Sequence, residues 1–305
     1  MVAFDLRRLR VLRELDERGT LAAVAIALGY TPSAISQQLS VLEKEVGVRL
    51  LQKAGRGVRL TDAGRLLSRH AGVLLDAADA ARVDLASLTG ELRGTVRAGG
   101  LQSATRRVLI PAVARMRADN PHVRLEISEL ELEQALPELR LGALDLVISD
   151  EYDGHPRPRP AGLTFEPLHE EPLKLVLPAA HPCAEHGGPV AMTALKEAVW
   201  VASATGTGHH ALVVGTCRSL GGYEPDLRHR SNDADVQLEL VRTTGAVALM
   251  PTLALPLGDP ALAIRDIAEA AVTRRLMIIT RDSAAAPALT TFLTTVREQA
   301  RLVAG

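Results

Sequence analysis

Residues 19–64 read GTLAAVAIALGYTPSAISQQLSVLEKEVGVRLLQKAGRGVRLTDAG, and this stretch decides how the N-terminal part of the chain folds. Thr20 is a good N-cap for a short helix in which Leu21, Val24, Ala25 and Leu28 form an apolar stripe. Gly29 follows at a position suited to a left-handed turn, which glycine enters without steric cost. Thr31 then caps a second helix, and Pro32 suits its first turn because no N–H is needed there. That helix is expected over 32–46, with Ala34, Ile35, Leu39, Leu42 and Val46 inward and Ser33, Ser36, Gln37 and Ser40 outward. Residues 49–53 and 58–60 read as two short strands around the glycine turn Ala54-Gly55-Arg56-Gly57. Upstream, Leu6, Leu9, Val11, Leu12 and Leu15 fall on one face of a first helix that Gly19 can end. Three helices followed by a basic hairpin make a winged helix-turn-helix.

Small polar side chains near the start of an outward helix suit base edges, since serine and glutamine both donate and accept hydrogen bonds. Thr31, Pro32, Ser33, Ser36, Gln37 and Ser40 are therefore candidate DNA contacts, with Lys53, Arg56 and Arg59 on the wing to grip phosphate or the minor groove. Charge agrees. Through His70 the chain carries 12 Lys/Arg against 7 Asp/Glu, whereas the remainder carries 23 against 29 and the whole chain is at −1. A basic head on an acidic body points to a polyanion partner for the head alone, and double-stranded DNA is the expected one.

Past Thr61 the pattern changes. Leu67, Ala71, Leu74, Ala78, Ala81, Leu85 and Leu88 are separated by alternating steps of four and three, the 3.5-residue period of a coiled-coil seam. A linker helix over 65–90 that pairs two subunits is expected, because a two-fold DNA site calls for a two-fold protein. Residues 89–94, TGELRG, then break the helix and mark a domain boundary.

From residue 95 strand and helix patterns alternate. Strands are expected over 96–99, 123–128 and 144–149, with helices over 105–117 and 133–141. A second lobe follows over about 164–267, with strands over 173–177, 199–202 and 246–250 and helices over 191–196, 210–219 and 234–243. A strand over 273–280 and a helix over 286–302 return to the first lobe, which comprises about 91–163 and 268–305. Alternation of this kind implies a mostly parallel sheet covered by helices on both faces. Ligands of such folds sit at the carboxyl ends of strands, where the lobes face each other. Candidate ligand contacts are Gln102, Ser103, Ala104 and Thr105, then Ser203, Thr205 and Thr207, then Asn232 and Asp233. Hydroxyls and N–H groups at helix starts suit a carboxylate, and Asp150 and Asp233 suit a cationic group. These groups admit an amino acid or a small organic acid.

The chain resembles the LysR-type transcriptional regulators. The motifs that carry the resemblance are Ala22-Ala23, Thr31-Pro32-Ser33-Ala34-Ile35-Ser36, the run from Leu42-Glu43 through Gly47 to Leu50, and Leu60-Thr61-Asp62-Ala63-Gly64. In the body, looser matches lie from Gly99 through Pro111, at Leu139-x-x-Gly142-x-Leu144-Asp145-Leu146, and from Leu240 through Pro251. The resemblance implies an α plus α/β protein: an N-terminal winged helix-turn-helix over 1–64, a long linker and dimerisation helix over 65–90, and a two-lobed α/β effector domain over 91–305 of the type 2 periplasmic-binding-protein kind. It also implies a sequence-specific regulator, a homodimer or homotetramer, whose DNA binding or assembly is altered by a small effector. Pro32-Ser33 stands where the family often has Gln-Pro, and Gln37 where it often has a basic residue.

Other chemistry finds little support. Cys183 and Cys217 supply no disulfide framework. His181, Cys183, His186 and the pair His209-His210 match no zinc spacing. No nucleophilic triad or carboxylate pair can be assigned, so no metal, no cofactor and no enzymatic activity are expected. No basic-then-apolar leader and no bilayer-length apolar run are present, which implies a cytoplasmic protein with no membrane partner. The alternatives are a periplasmic-type solute-binding protein, which would lack the head, and an α/β enzyme with an accessory nucleic-acid-binding head, which would need a catalytic constellation.

Overall fold

In the computed structural model, residues 4–55, 57–87, 92–152, 154, 157, 159–185, 187–256, 258–282 and 285–303 are described. Arg56 at the wing tip, Leu88 of the linker seam and His186 lie outside them.

The head forms as its caps dictate. Asp5, Thr20 and Thr31 accept first-turn N–H groups at the starts of α1 (Leu6–Arg18), α2 (Leu21–Leu28) and α3 (Pro32–Val46). Gly29 ends α2 at φ 68°. Leu9, Leu12, Leu15, Val24, Ile35, Leu39 and Leu42 make the core, closed from the hairpin side by Leu50 and Leu60. The hairpin pairs β1 (Leu51–Ala54) with β2 (Gly57–Leu60).

Three of the motif residues hold the hairpin against the helices. Glu43 Oε1 accepts from the N–H of Leu50 at 2.7 Å and of Leu51 at 3.0 Å. Thr61 Oγ1 donates to the Arg49 carbonyl at 2.8 Å and accepts from Gly64 N–H at 3.0 Å. Gly64 lies so close to the hairpin base that a Cβ there would sit 2.3 Å from the Leu50 carbonyl oxygen. Only glycine allows that approach.

Helix α4 (Asp62–Ser87) departs from the expected seam. Ala71 is buried in the head's own core with Leu67 packed against it, so this part of the seam serves the single chain. Among the described side chains of α4, the apolar ones left in water are Leu66, Val73 (67% exposed), Leu74 and Leu85 (68% exposed), along with Ala77 and Ala81. Leu74, Ala81 and Leu85 of the expected seam thus stay exposed, while its first part packs within the head.

The body carries two lobes. β3 (Gly94–Gly100) leads through α5 (Gln102–Ala104) and a π-helical turn (Thr105–Leu109) into α6 (Ile110–Asp119). β4 (Val123–Glu129), α7 (Leu132–Leu141), β5 (Leu146–Tyr152) and the long β6 (Leu163–Pro178) follow. Then come β7 (Val199–Ala202), α8 (Gly208–Thr216), β8 (Asp226–Arg230), α9 (Ala234–Thr244), β9 (Val247–Pro251), β10 (Leu262–Arg265), β11 (Thr273–Arg281) and α10 (Pro287–Leu302). Strand order is β4-β3-β5-β11-β6-β9-β7-β8, with β10 beside β6.

Three expectations are corrected here. The sheet is mixed rather than mostly parallel: β3, β4 and β5 run together, as do β7, β8 and β9, but β6 and β11 run against their neighbours. Those two strands carry the chain between the lobes, which forces their direction. The crossing also lies further along than residue 164. Residues 163–172 of β6 pair with β11 in lobe I, and 173–178 pair with β9 and β10 in lobe II. The return comes at Val272, whose carbonyl accepts from Leu173 N–H at 2.8 Å. Finally, the helix expected over 191–196 is a single 3₁₀ turn, Met192–Leu195. Apolar clusters cover both faces of each lobe, around Phe292 and Leu139 in lobe I and around Trp200 and Leu238 in lobe II.

The head rests on lobe I. Arg18 bridges Glu14 (2.6 Å) and Glu138 of α7 (2.7 Å), and Arg13 donates to the Arg140 carbonyl.

Candidate nucleic-acid interface and interlobe cleft

On α3 the expected inward and outward faces are found, with Ala34 and Val46 half-buried rather than fully inward. Ile35, Leu39 and Leu42 are buried, while Thr31, Pro32, Ser33, Ser36, Gln37 and Ser40 are exposed. Thr31 Oγ1 accepts from Ala34 N–H at 3.2 Å and lies 3.3 Å from Ser33 Oγ, so the helix start is both capped and polar. A helix N-terminus of this kind attracts phosphate. Lys53 and Arg59 stand exposed on neighbouring strands of the wing, with Arg59 opposite Gln52. The arrangement offers a convex helix for a groove and two cations for its walls.

Between the lobes lies a cleft with a cavity of about 70 Å³. Gln102, Ser103, Asp150, Ser203, Thr207 and Asn232, all anticipated from the sequence, line it. Ala104, Thr105, Thr205 and Asp233 do not. Ala104 is buried in the lobe I core. Thr105 Oγ1 donates to the Gly100 carbonyl at 3.0 Å and so supports the turn after β3. Thr205 is exposed. Asp233 caps α9 and accepts from Gln102 Nε2 at 3.0 Å, while Gln102 Oε1 accepts from Ala234 N–H at 2.8 Å. The Gln102 amide thus clamps lobe I to the start of α9, and this bond, with the N–H groups of the helix start, holds the Asp233 carboxyl below its usual range.

The cleft floor is an ionic network the sequence reading missed. Arg274 on β11, 3% exposed, pairs with Glu171 on β6, 2% exposed. Its Nε is 2.8 Å from Glu171, its second nitrogen 2.7 Å from Ser103 Oγ, and its third 3.5 Å from Asp150. Glu171 also accepts from Leu253 N–H at 2.6 Å. Arg157 is equally occupied, meeting Asp150 at 3.2 Å and Glu133 at 2.7 Å. Tyr152, His209, Gln237 and Glu131 complete the polar wall. His209 Nε2 donates to the Leu249 carbonyl at 2.7 Å and Nδ1 accepts from Ser203 N–H at 3.2 Å; burial lowers its pKa and keeps it neutral. A signal was present in the run TRRLMIIT of β11, where a charge falls inside a strand otherwise apolar enough to be buried.

Among the described residues no group of His, Cys, Asp and Glu could hold a metal ion, and no helix is long and apolar enough to cross a membrane.

A winged helix-turn-helix joined by a helix to a two-lobed α/β domain with an interlobe cleft defines a ligand-responsive DNA-binding protein. Comparison with known proteins agrees: residues 6–65 match the family profile of the bacterial regulatory helix-turn-helix proteins of the lysR family, and residues 89–301 match the LysR substrate binding domain. The chain belongs to the LysR family and is a transcriptional regulator with an effector-binding domain, not an enzyme. It is 32% identical over 278 residues to a probable nitrogen assimilation transcriptional activator of Synechococcus elongatus, covering 90% of this chain and 88% of that one. It is 34% identical over 174 residues to a probable hydrogen peroxide-inducible genes activator of Mycobacterium xenopi, covering 57% of this chain and 89% of that one. Among solved structures, a full-length OxyR variant from Pseudomonas aeruginosa shares the fold with a TM-score of 0.68 at 20% identity, covering 98% of this chain and 95% of that one. Full-length CbnR in complex with its target DNA gives 0.58 at 21% identity, covering 97% and 100%.

Proposed function

We propose that two or four copies of this chain read a two-fold site in double-stranded DNA, with α3 in the major groove and the wing on the flanking backbone. A small effector in the interlobe cleft changes how the copies assemble on that DNA. The observation that carries this reading is the outward face of α3, where Ser33, Ser36, Gln37 and Ser40 all stand free in water above a closed core. The stripe of Leu66, Val73, Leu74 and Leu85 on α4 supports pairing of subunits through that helix, since large aliphatic side chains exposed in a row favour burial against a partner. The division into a head over 1–64, a linker over 65–90 and an effector domain over 91–305 follows, and the cytoplasm is where such a protein meets DNA. An effector acts only by binding one assembly more tightly than another.

The test is retention of DNA from upstream of the protein's own gene as salt is raised. Specific retention at moderate salt is expected, with log affinity falling linearly in log salt. Lys53→Ala and Arg59→Ala each lower that slope by about 0.9 while leaving sequence preference intact. Equal retention of unrelated DNA would overturn the reading.

Relatives named for peroxide response raise a redox reading, which the environment of Cys217 does not favour. Burial pushes the Cys217 thiol up to about 12, so it stays protonated and unreactive near neutral pH. Peroxide is expected to leave operator affinity unchanged in both the wild type and Cys217→Ser. A peroxide-dependent shift that Cys217→Ser abolishes would contradict this.

A further inference from the structure

The cleft's cations are already spoken for. Arg274 is bound by Glu171, Ser103 and Asp150, and Arg157 by Asp150, Glu133 and the Asp150 carbonyl. Parts of the helix starts that face the cleft are answered from within the chain as well. Thr207 Oγ1 accepts from His210 N–H, and the N–H of Ala234 goes to Gln102. Among the described residues, two acceptors that line the cavity stand without a donor. Gln237 is 3% exposed and lines the cavity. Its Nε2 donates to the Ser231 carbonyl at 2.6 Å, but its Oε1 is buried with no donor among the described residues. A buried carbonyl oxygen without a donor is costly, so this atom is open to a ligand N–H group. From the opposite lobe, Glu131 at the start of α7 lines the same cavity, and no side-chain hydrogen bond reaches its carboxyl among the described residues. Glu131 and Asp150 face Arg157 and Arg274 in the lining, and Glu133 and Glu171 stand directly behind those two arginines. The local balance is therefore acidic.

We propose that the effector of this cleft is a small primary ammonium compound whose N–H groups are taken by Glu131 from lobe I and Gln237 from lobe II. This rests on the reading of the cleft as the effector site and names its ligand class. An ammonium has three donors and no acceptor, which matches two unsatisfied acceptors on opposite walls. A ligand bound only through a carboxylate would meet Glu131 and Asp150, and arginines already paired to carboxylates of the chain. Size agrees: a cavity of about 70 Å³ is roughly half the ~150 Å³ that holds benzene, so the closed cleft suits a ligand of only a few non-hydrogen atoms. Longer amines require the Gln102–Asp233 clamp to open.

The test uses the full chain and a matched panel. Thermal shift and calorimetry are run with ethylammonium and ethanolamine, and with acetate and propionate at equal ionic strength. The two amines are expected to raise the melting temperature by several degrees at saturation, and the two carboxylates are not. Glu131→Gln keeps the shape of the side chain and weakens amine binding at least tenfold. Gln237→Met removes the acceptor and does the same. Should the buried Gln237 variant fail to fold, the half-buried Glu131→Gln carries the test alone. Stabilisation by carboxylates with inert amines overturns the assignment, as does a panel that shifts nothing, or an amine response that survives Glu131→Gln. Operator binding by the unliganded chain is measured in parallel. Its loss defeats the regulator reading itself, whereas its retention beside an inert panel defeats only the ligand class.

Discussion

Arg274→Met is expected to destabilise the effector domain by about 3–5 kcal/mol. The cause is what stays behind. Glu171 is 2% exposed and sits directly across the strand pair from Arg274, and with the guanidinium gone its charge has no counterion there. Asp150 loses a neighbour as well. Replacing both partners, Arg274→Met with Glu171→Met, removes the stranded charge and recovers part of the loss. Recovery is incomplete because Leu253 N–H and Thr252 Oγ1 then lose the Glu171 oxygen they share. Urea unfolding followed by Trp200 fluorescence measures this cleanly, since Trp200 is the chain's one tryptophan and is fully buried in lobe II. A loss below about 1 kcal/mol in the single variant would show that the pair is not the charged, dry contact its geometry describes.

The second large effect concerns DNA. Gln37→Glu leaves the head folded, because position 37 is exposed and the core beneath it is Ile35, Leu39 and Leu42. If α3 lies in the groove as proposed, it is expected to weaken operator binding roughly hundredfold, or about 3 kcal/mol, by exchanging an exposed amide for a carboxylate repelled by the phosphates. Gln37→Ala loses only the amide contact and falls in between. Gln37→Arg is expected to tighten binding to DNA of any sequence and so to narrow the gap between operator and unrelated DNA. A mobility-shift series over the three variants reads all of this. Wild-type affinity in Gln37→Glu would remove α3 from the interface.

The head was legible almost to the residue, and the reason is local. Caps, left-handed glycines and a 3.6-residue period are written within a few positions of where they act, so Thr31, Pro32 and Val46 marked the bounds of α3 correctly. Even so, the packing purpose of Glu43 and Gly64 emerged only once the hairpin base was seen against α3 and α4. The cleft was half legible. Loops after strands pointed to Gln102, Ser103, Ser203 and Thr207, but Arg274, Glu171, Glu131 and Gln237 come from three different strands or helices and the approach to a fourth, and only tertiary contact joins them. Asp233 misled because its cap role and a ligand role use the same side chain. The lobe boundary was placed early because β6 is a single strand whose two halves serve different lobes, although the change from HEEP to the apolar run from Leu173 coincides with the crossing.

The hydrogen bond from Leu173 to Val272 bears on how this chain can be recombined. Everything between those residues is one uninterrupted segment whose two ends meet side by side, the geometry that lets a piece of chain be inserted into another fold without disturbing it. These two points are therefore where a foreign lobe II is expected to be accepted with the rest of the chain still folded. A chimera exchanged at these two points would keep the native DNA-reading head and Glu131 while importing a foreign wall opposite, and its effector response is expected to follow the imported lobe.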